Sequence, residues 1–241
     1  VYSFTDSPNI GAIHSFSFHN YVTLFTTPEL IDMIIGSIAL AIGSAVLATI
    51  LGTTGAIGAF YSKKNVNGTM SVLNQIPVVN ADVVTGFSLC ILLVVVFGIS
   101  KNTYIPLIIG HTVLSAPFVY LAVVPKLKQM DPSLYEAALD LGATPGYTLI
   151  HIIIPQIASG IVSGFVMAVT LSLDDYFVAT YTKPATFDTI STYVVNATKG
   201  SQTNIKTALW ALSTIIFLIV VIVEVVMNFA PIKNEAQKEK H

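Results

Sequence analysis

Charged residues are scarce in this chain of 241 residues: they make up 10% of it, against about a quarter of an average soluble domain. Arginine is absent and all eleven basic residues are lysine, which excludes a bidentate arginine clamp for phosphate or carboxylate. The single cysteine, Cys90, excludes a disulfide framework and a cysteine-based metal site. The five histidines form no i, i+4 pair, so we expect no metal site.

Hydrophobic residues, in contrast, make up 54% of the chain, and the mean hydropathy is +0.76. This composition excludes a disordered chain, a basic nucleic-acid-binding protein and an ordinary cytosolic enzyme. The apolar runs are continuous rather than alternating, which favours membrane-spanning helices over barrel strands. We therefore predict an all-α polytopic membrane protein with five spans, namely Ile34–Tyr61, Asp82–Ser100, Tyr104–Val124, Gly160–Tyr181 and Thr207–Phe229.

The placement of lysine predicts how these spans are oriented. Most lysines follow the first, third and fifth spans: Lys63, Lys64, Lys126, Lys128, Lys233, Lys238 and Lys240. The predicted cytoplasmic segments are then the loops 62–81 and 125–159 and the tail 230–241. The predicted extracytoplasmic segments are the N-terminal segment 1–33 and the loop 182–206, which leaves 34–229 as the membrane domain. Because residues 1–33 contain no lysine and no signal-peptide core, we expect that a preceding transmembrane helix is missing; a five-helix protein is the alternative.

The segment 131–156 carries strong signals for helix starts and ends. Asp131 is a favourable N-cap, Gly142 sits where a left-handed residue ends a helix, and Thr144 repeats the start signal before a second helix that runs to Pro155. A stripe with i, i+3, i+4, i+7 spacing consists of Leu134, Ala137, Ala138 and Leu141. Two short helices with a glycine bend suit either docking into a groove of another protein or a connector at the membrane surface.

This segment resembles the EAA loop of binding-protein-dependent ABC importer permeases, which has the form E-A-A-x3-G-x9-I-x-L-P. All spacings are kept, and only the leucine is replaced, by Ile154. The matching residues are Glu136, Ala137, Ala138, Gly142, Ile152 and Pro155. The resemblance covers residues 16–229 and implies the MetI-like permease fold of six helices, whose first helix is absent from this sequence.

Within that family, the EAALDLGATPG run (136–146) and the TLSLDD run (170–175) are most similar to spermidine/putrescine permeases of the C type. The resemblance implies a polyamine path across the cell (inner) membrane, built by a chain that is not an enzyme and binds no cofactor. ATP and Mg²⁺ would bind to two copies of a partner ATPase, which would dock on the EAA loop near Glu136, Asp140 and Gly142. A second permease subunit, an extracytoplasmic polyamine-binding protein and the lipid bilayer complete the implied partners, without nucleic acid.

Asp174 and Asp175 fall inside the fourth predicted span, where a carboxylate costs about 2.5–3.5 kcal/mol on insertion scales and normally faces a cavity or a partner. Neighbouring helical positions point about 100° apart, so we expect the two carboxylates to have different surroundings. Carboxylates and aromatic faces are what ammonium groups bind. Asp174, Asp175, Tyr176 and Tyr181 are therefore candidate substrate-path residues; a structural pair at a helix interface is the alternative.

Several other readings remain open. An EAA-loop permease for iron, molybdate or amino acids is the alternative importer, although the missing arginine and the adjacent aspartates favour a cationic substrate. An intramembrane aspartyl enzyme would need two separated aspartates, and a structural scaffold would leave the EAA spacing unexplained.

His111 is interpreted as a packed polar side chain, and the apolar patch 189–195 either contacts a binding protein or packs as a short helix. Close helix packing is predicted at Gly52, Gly55, Gly58, Ser159, Gly160, Ser163 and Gly164.

Overall fold

The computed structural model of the chain describes residues 2–4, 16–131, 133–199, 208–219, 221–222 and 225. Regular structure in these residues is helical, as the apolar runs predict. The helices named below are α1 (His19–Thr26), α2 (Pro28–Tyr61), α3 (Lys64–Val79), α4 (Asp82–Cys90, continued by a π-helix over Ile91–Val96), α5 (Ile105–Gln129), α6 (Ser133–Asp140), α7 (Pro145–Gln156, π-helical over Leu149–Ile153), α8 (Ala158–Asp174), α9 (Phe177–Thr182), α10 (Ile190–Lys199) and α11 (Ala208–Ile219).

The chain divides into two compact units, one formed by Ile38–Phe187 and the other by Val1–Ser37 with Asp188–His241. In the first unit α5 packs along α8, and an alanine-rich face of α2 joins them in one apolar core. Short side chains from one helix against larger ones from the next are the usual way for membrane helices to pack. The core residues are Ala45, Ala48, Ala56, Ala59, Val119, Tyr120, Val123, Leu127, Met130, Ile153, Ile157 and Ala168.

Glycines bring the backbones of these helices close together. A methyl group at Gly52 would lie 2.7 Å from the Ala116 carbonyl oxygen. Methyl groups at Gly160 and Gly164 would lie 2.9 and 3.1 Å from backbone atoms of α5. The prediction of close packing is confirmed at these three glycines, whereas no described atom lies within 4 Å of a methyl group at Gly58.

The second unit contains α1, the first turns of α2, α10 and α11. The Asn20 side-chain amide donates a hydrogen bond of 3.2 Å to the Ser3 carbonyl oxygen. The apolar patch predicted at 189–195 lies mostly in α10, whose first residue, Ile190, is buried and donates its N–H to the Ser37 hydroxyl at 2.9 Å. The patch therefore packs as a short helix.

Among the described residues, α2 and α5 are each long and apolar enough to cross a membrane, and they correspond to the first and third predicted spans. Two bent pairs bring the number to four if each counts as one span: Asn67–Val79 with Asp82–Val96, bent by 103°, and α7 with α8, bent by 71°. Within the fifth predicted span, the structure describes α11, and most of the other residues of that span lie outside the described ones.

The segment 62–81, predicted as a cytoplasmic loop between two spans, contains the helix α3 over most of its length. Met70, Leu73 and Ile76 recur at helical spacing in a run that polar residues interrupt, a pattern that a search for long continuous apolar runs overlooks. The predicted span that starts at Asp82 is also too long, because the helix ends at Val96, shortly before a left-handed glycine.

Candidate functional site

The EAA loop (131–156) begins with a side-chain cap on α6. The Asp131 carboxylate accepts hydrogen bonds from the Ser133 N–H at 2.9 Å and from the Ser133 hydroxyl at 2.8 Å. Both bonds favour the ionised form, and the bond from the backbone N–H has the larger effect. Together they hold the pKa of Asp131 below its ordinary value. The predicted N-cap role of Asp131 is therefore confirmed.

Gly142 makes the bend that the sequence predicts. Its φ is +88°, in the left-handed region, and its N–H donates to the Leu139 carbonyl oxygen at 2.9 Å. The Ala143 N–H donates to the Ala138 carbonyl oxygen at 3.0 Å. These two bonds form the Schellman motif that ends α6 and satisfies its last carbonyl groups.

The exposed face of α6 carries the polar residues of the EAA motif. Glu136, Ala137 and Asp140 are exposed, while Ala138 is 5% exposed. Leu141, next to the bend, is 90% exposed. The predicted apolar stripe is therefore split, because Leu134 packs against the core and Ala138 is buried, while Ala137 and Leu141 face outwards. A large apolar side chain that stands free at a bend is available to a partner protein.

The second half of the EAA loop is the start of a helical arm that leads into α8. The Thr144 hydroxyl accepts a hydrogen bond of 3.4 Å from the Tyr147 N–H and so caps α7, as predicted. Ile152 is half-buried and packs against the core, whereas Pro155 is exposed. The EAA residues thus divide into buried ones that fix the loop to the membrane helices and exposed ones on its free face.

The fourth predicted span is interrupted at the adjacent aspartates, so its prediction as one continuous helix is wrong. α8 ends at Asp174, and Asp175 is extended, with φ −66° and ψ 122°. The Asp175 carboxylate accepts hydrogen bonds from the Val178 N–H at 3.2 Å and the Ala179 N–H at 2.7 Å. In a continuous helix those two N–H groups would bond the carbonyl oxygens four residues earlier. The side chain takes these donors and allows a new helix, α9, to start.

The two aspartates accordingly have different surroundings, as expected. Asp175 is 8% exposed and caps α9. Asp174 is exposed at the end of α8, and its carboxylate forms no hydrogen bond or ion pair with another described residue. Asp174 is therefore the carboxylate of the pair that a passing ligand could reach.

Both candidate tyrosines are half-buried: Tyr176 lies at the break, and Tyr181 lies towards the far end of α9. The Tyr176 ring packs against Phe177, with centroids 5.2 Å apart and planes at 71°. The Tyr181 ring packs against Phe87 of α4, with centroids 5.6 Å apart and planes at 68°. These edge-on contacts fix the rings near both ends of α9.

His111 of α5 joins this site, although the sequence indicates only a packed polar side chain. The side chain is fully buried, and its Nδ1 lies 2.8 Å from the Ser172 hydroxyl of α8. Its Nε2 lies 3.6 Å from Oδ2 of Asp175. The packed interpretation is confirmed, but the connection joins residues more than 60 positions apart, and no local pattern could have indicated it.

The sequence profile of the family described as "Binding-protein-dependent transport system inner membrane component" matches residues 52–230. The chain belongs to this family. Family members are permease subunits of ABC importers, and the ATPase is a separate subunit, so this permease is not itself an enzyme. The permease is accordingly an inner-membrane component, and its family implies ATPase and binding-protein partners.

The sequence of this permease is similar to those of two polyamine permeases. It is 31% identical over 211 residues to the spermidine/putrescine transport system permease protein PotC of Haemophilus influenzae. This alignment covers 86% of this chain and 80% of that protein. It is 30% identical over 187 residues to the putrescine transport system permease protein PotI of Escherichia coli strain K12. This second alignment covers 75% of this chain and 66% of that protein.

Solved structures share the fold of this permease. A bacterial ABC transporter involved in the import of the acidic polysaccharide alginate matches with a TM-score of 0.68 and 19% identity, over 89% of this chain and 84% of that one. An amino acid ABC transporter with histidines matches with a TM-score of 0.61 and 16% identity, over 90% of this chain and 98% of that one. The predicted all-α permease fold is confirmed.

Proposed function

We propose that this permease forms part of the path for a polyamine, spermidine or putrescine, and that Asp174 binds its ammonium groups on the way. The relatives named for spermidine and putrescine transport support the substrate class. The exposed Asp174 carboxylate at the helix break carries the assignment of the contact. Ammonium groups that lose water in the path need such a negative group in return.

Aromatic rings at the break support the same class of substrate. Tyr176, two residues after Asp174, and Tyr181, towards the far end of α9, are held by ring contacts, and the faces of such rings attract an ammonium group. Asp175 contributes to the path indirectly, because its carboxylate caps α9 and so keeps the break open.

The EAA loop is the proposed docking site of the ATPase. Exposed Glu136, Ala137 and Asp140 and the projecting Leu141 present a mixed polar and apolar face to the partner. Ile152 packs against the core and Ala138 is buried under the loop, Gly142 sets the angle between its helices, and Pro155 lies where the arm approaches α8. A movement of the docked ATPase would therefore be passed to α8, which carries Asp174 at its far end.

The complete importer would contain two ATPase copies, a second permease subunit and an extracytoplasmic polyamine-binding protein. ATP and Mg²⁺ would bind to the ATPase, and this chain would bind no cofactor. The absence of a G-x-x-x-x-G-K-S/T sequence from the chain supports this division of labour.

Uptake by the assembled importer in proteoliposomes, supplied with its binding protein, tests the substrate and the role of Asp174. We expect uptake of radiolabelled spermidine or putrescine, and we expect Asp174→Asn to lower it by at least about tenfold, because a charge-assisted bond is lost. Asp32→Asn, at an exposed aspartate of α2 outside the site, is the matched control. Uptake of iron, molybdate or an amino acid but of no polyamine would overturn the substrate, and normal uptake by Asp174→Asn would overturn the contact.

Co-purification of the ATPase tests the docking site. Glu136→Lys reverses a charge on the exposed face of α6 and should lower the amount of ATPase that is retained. Glu29→Lys makes the same change at an exposed position in the first turn of α2 and should retain it fully. Equal retention in both variants would contradict docking at Glu136.

A further inference from the structure

A chain of buried polar groups connects three helices behind the exposed Asp174. The Ser44 hydroxyl of α2 lies 3.3 Å from the Ser172 hydroxyl of α8, which lies 2.8 Å from His111 Nδ1 of α5. On the other side of the imidazole, Nε2 lies 3.6 Å from Asp175 Oδ2. All four residues are buried, and burying such groups is costly unless they satisfy one another.

The position of the Asp175 carboxylate determines which group donates the hydrogen in each contact of this chain of polar groups. A lone pair on Nε2 would face the Asp175 oxygen and be repelled, so we assign the imidazole hydrogen to Nε2. Nδ1 then accepts from the Ser172 hydroxyl, and the Ser172 oxygen can accept from Ser44. At 3.6 Å, Nε2 lies just beyond hydrogen-bond distance of Asp175, and its attraction to the carboxylate is electrostatic.

His111 therefore contacts both sides of the helix break. Ser172 belongs to the last turn of α8, whereas Asp175 caps α9, and Asp174 lies between these two anchored residues. α9 is itself held in a narrow space, because methyl groups at Gly86 and Gly110 would lie 2.9 Å from the Val178 Cα and 2.8 Å from its Cγ1. The backbone on both sides of Asp174 is thus fixed by contacts that do not involve Asp174 itself.

We propose that His111 is a positioning residue of the transport path, which holds the break at Asp174–Tyr176 so that the Asp174 carboxylate is presented to a polyamine ammonium group. The proposal rests on the proposed function. His111 is fully buried, so it acts through Ser172 and Asp175 and does not contact the substrate.

The test is equilibrium binding of radiolabelled spermidine to the purified importer complex, prepared without its binding protein. His111→Leu removes both contacts and should raise the Kd for spermidine about tenfold, the loss expected when the charge-assisted bond from the ammonium group to Asp174 no longer forms. In an Asp174→Asn background the same change should have no further effect, because the group it positions has lost its charge. A merely structural role would raise the Kd by the same factor in both backgrounds, or would leave it unchanged in both, and either result would overturn the proposal.

Conservative variants keep the test decisive if His111→Leu fails to assemble. His111→Gln keeps a donor towards Asp175 and His111→Asn keeps a partner for Ser172, so each should bind spermidine between wild type and His111→Leu. Ser172→Ala should raise the Kd two- to tenfold, because a neutral hydrogen bond is lost. Ser115→Ala, at a buried serine of α5 (the helix of His111) whose hydroxyl has no described partner, should leave the Kd unchanged.

The outcomes separate the two proposals. If Asp174→Asn alone binds spermidine as wild type does, the proposed contact at Asp174 is wrong and the positioning role of His111 is wrong with it. If Asp174→Asn weakens binding but Ser172→Ala and the His111 variants do not, the contact stands and the role of His111 alone is refuted.

Discussion

Replacing Gly142 by alanine tests the bend of the EAA loop without disturbing any contact. No described atom lies within 4 Å of the position where the methyl group would be, so the change is free of steric overlap with other residues. The cost comes from the backbone, because φ is +88° and a left-handed conformation costs an L-residue about 1–2 kcal/mol relative to glycine. A change of that size raises the population of the open bend relative to the closed one by about 5- to 30-fold.

Hydrogen exchange of the purified complex measures this population. The N–H groups of residues 142 and 143 bond the carbonyl oxygens of Leu139 and Ala138 only while the bend is closed. In Gly142→Ala we expect these two amides to exchange about 5- to 30-fold faster. The retention of ATPase on purification should fall in parallel, since the angle between α6 and α7 is less well fixed.

Two further glycine-loop variants make the test specific. Gly146→Ala changes a glycine of α7 that has open space and no left-handed conformation, and exchange at the bend should stay at the wild-type rate. Gly142→Asn should lie between wild type and alanine, because asparagine adopts the left-handed conformation more readily. The same exchange rates in Gly142→Ala and wild type, or an equal increase in Gly146→Ala, would refute the reasoning.

Two more predictions concern the packing of α9 and the pH dependence of the cap on α6. Gly86→Ala would place a methyl group 2.9 Å from the Val178 Cα, so we expect a cost of about 1–3 kcal/mol and a lower unfolding temperature of the complex. Gly58→Ala, in open space within α2, should not lower the unfolding temperature, because alanine favours the helix. The reverse order of the two variants would contradict the packing described for α9. Because the pKa of Asp131 is lowered by its bonds from Ser133, the start of α6 should be stabilised above about pH 4 and lose that support as the pH falls through the lowered pKa. Asp131→Asn should abolish this pH dependence of Ser133 amide exchange, after correction for intrinsic rates, and an unchanged profile would speak against the cap.

The bend and caps of the EAA loop could be predicted because they depend on local chemistry. Asp131, Gly142 and Thr144 each act within four residues of their own position, and each has the role that its residue type favours. The helices α2 and α5 were predictable for a similar reason, since their apolar runs are long and continuous.

The break at Asp175 was missed because hydropathy describes the solvent around a segment and not its hydrogen bonds. The span contains neither proline nor glycine at this point, and the break is made by a carboxylate that takes two N–H donors. A usable signal was present, because an aspartate directly before an apolar run is also an N-cap signal. The pairing of His111 with Ser172 had no such signal, because only the packing of α5 against α8 brings the two residues together.

The broken helix has an electrostatic consequence for the kind of ion that can approach. Aligned peptide groups give the carboxyl end of a helix about half a negative charge, and Asp174 stands at that end of α8. Asp175 instead meets the amino end of α9, where the partial charge is positive. A cation that reaches Asp174 therefore meets a second negative field that comes from the backbone and does not disappear on acidification, while an anion such as molybdate is repelled by both.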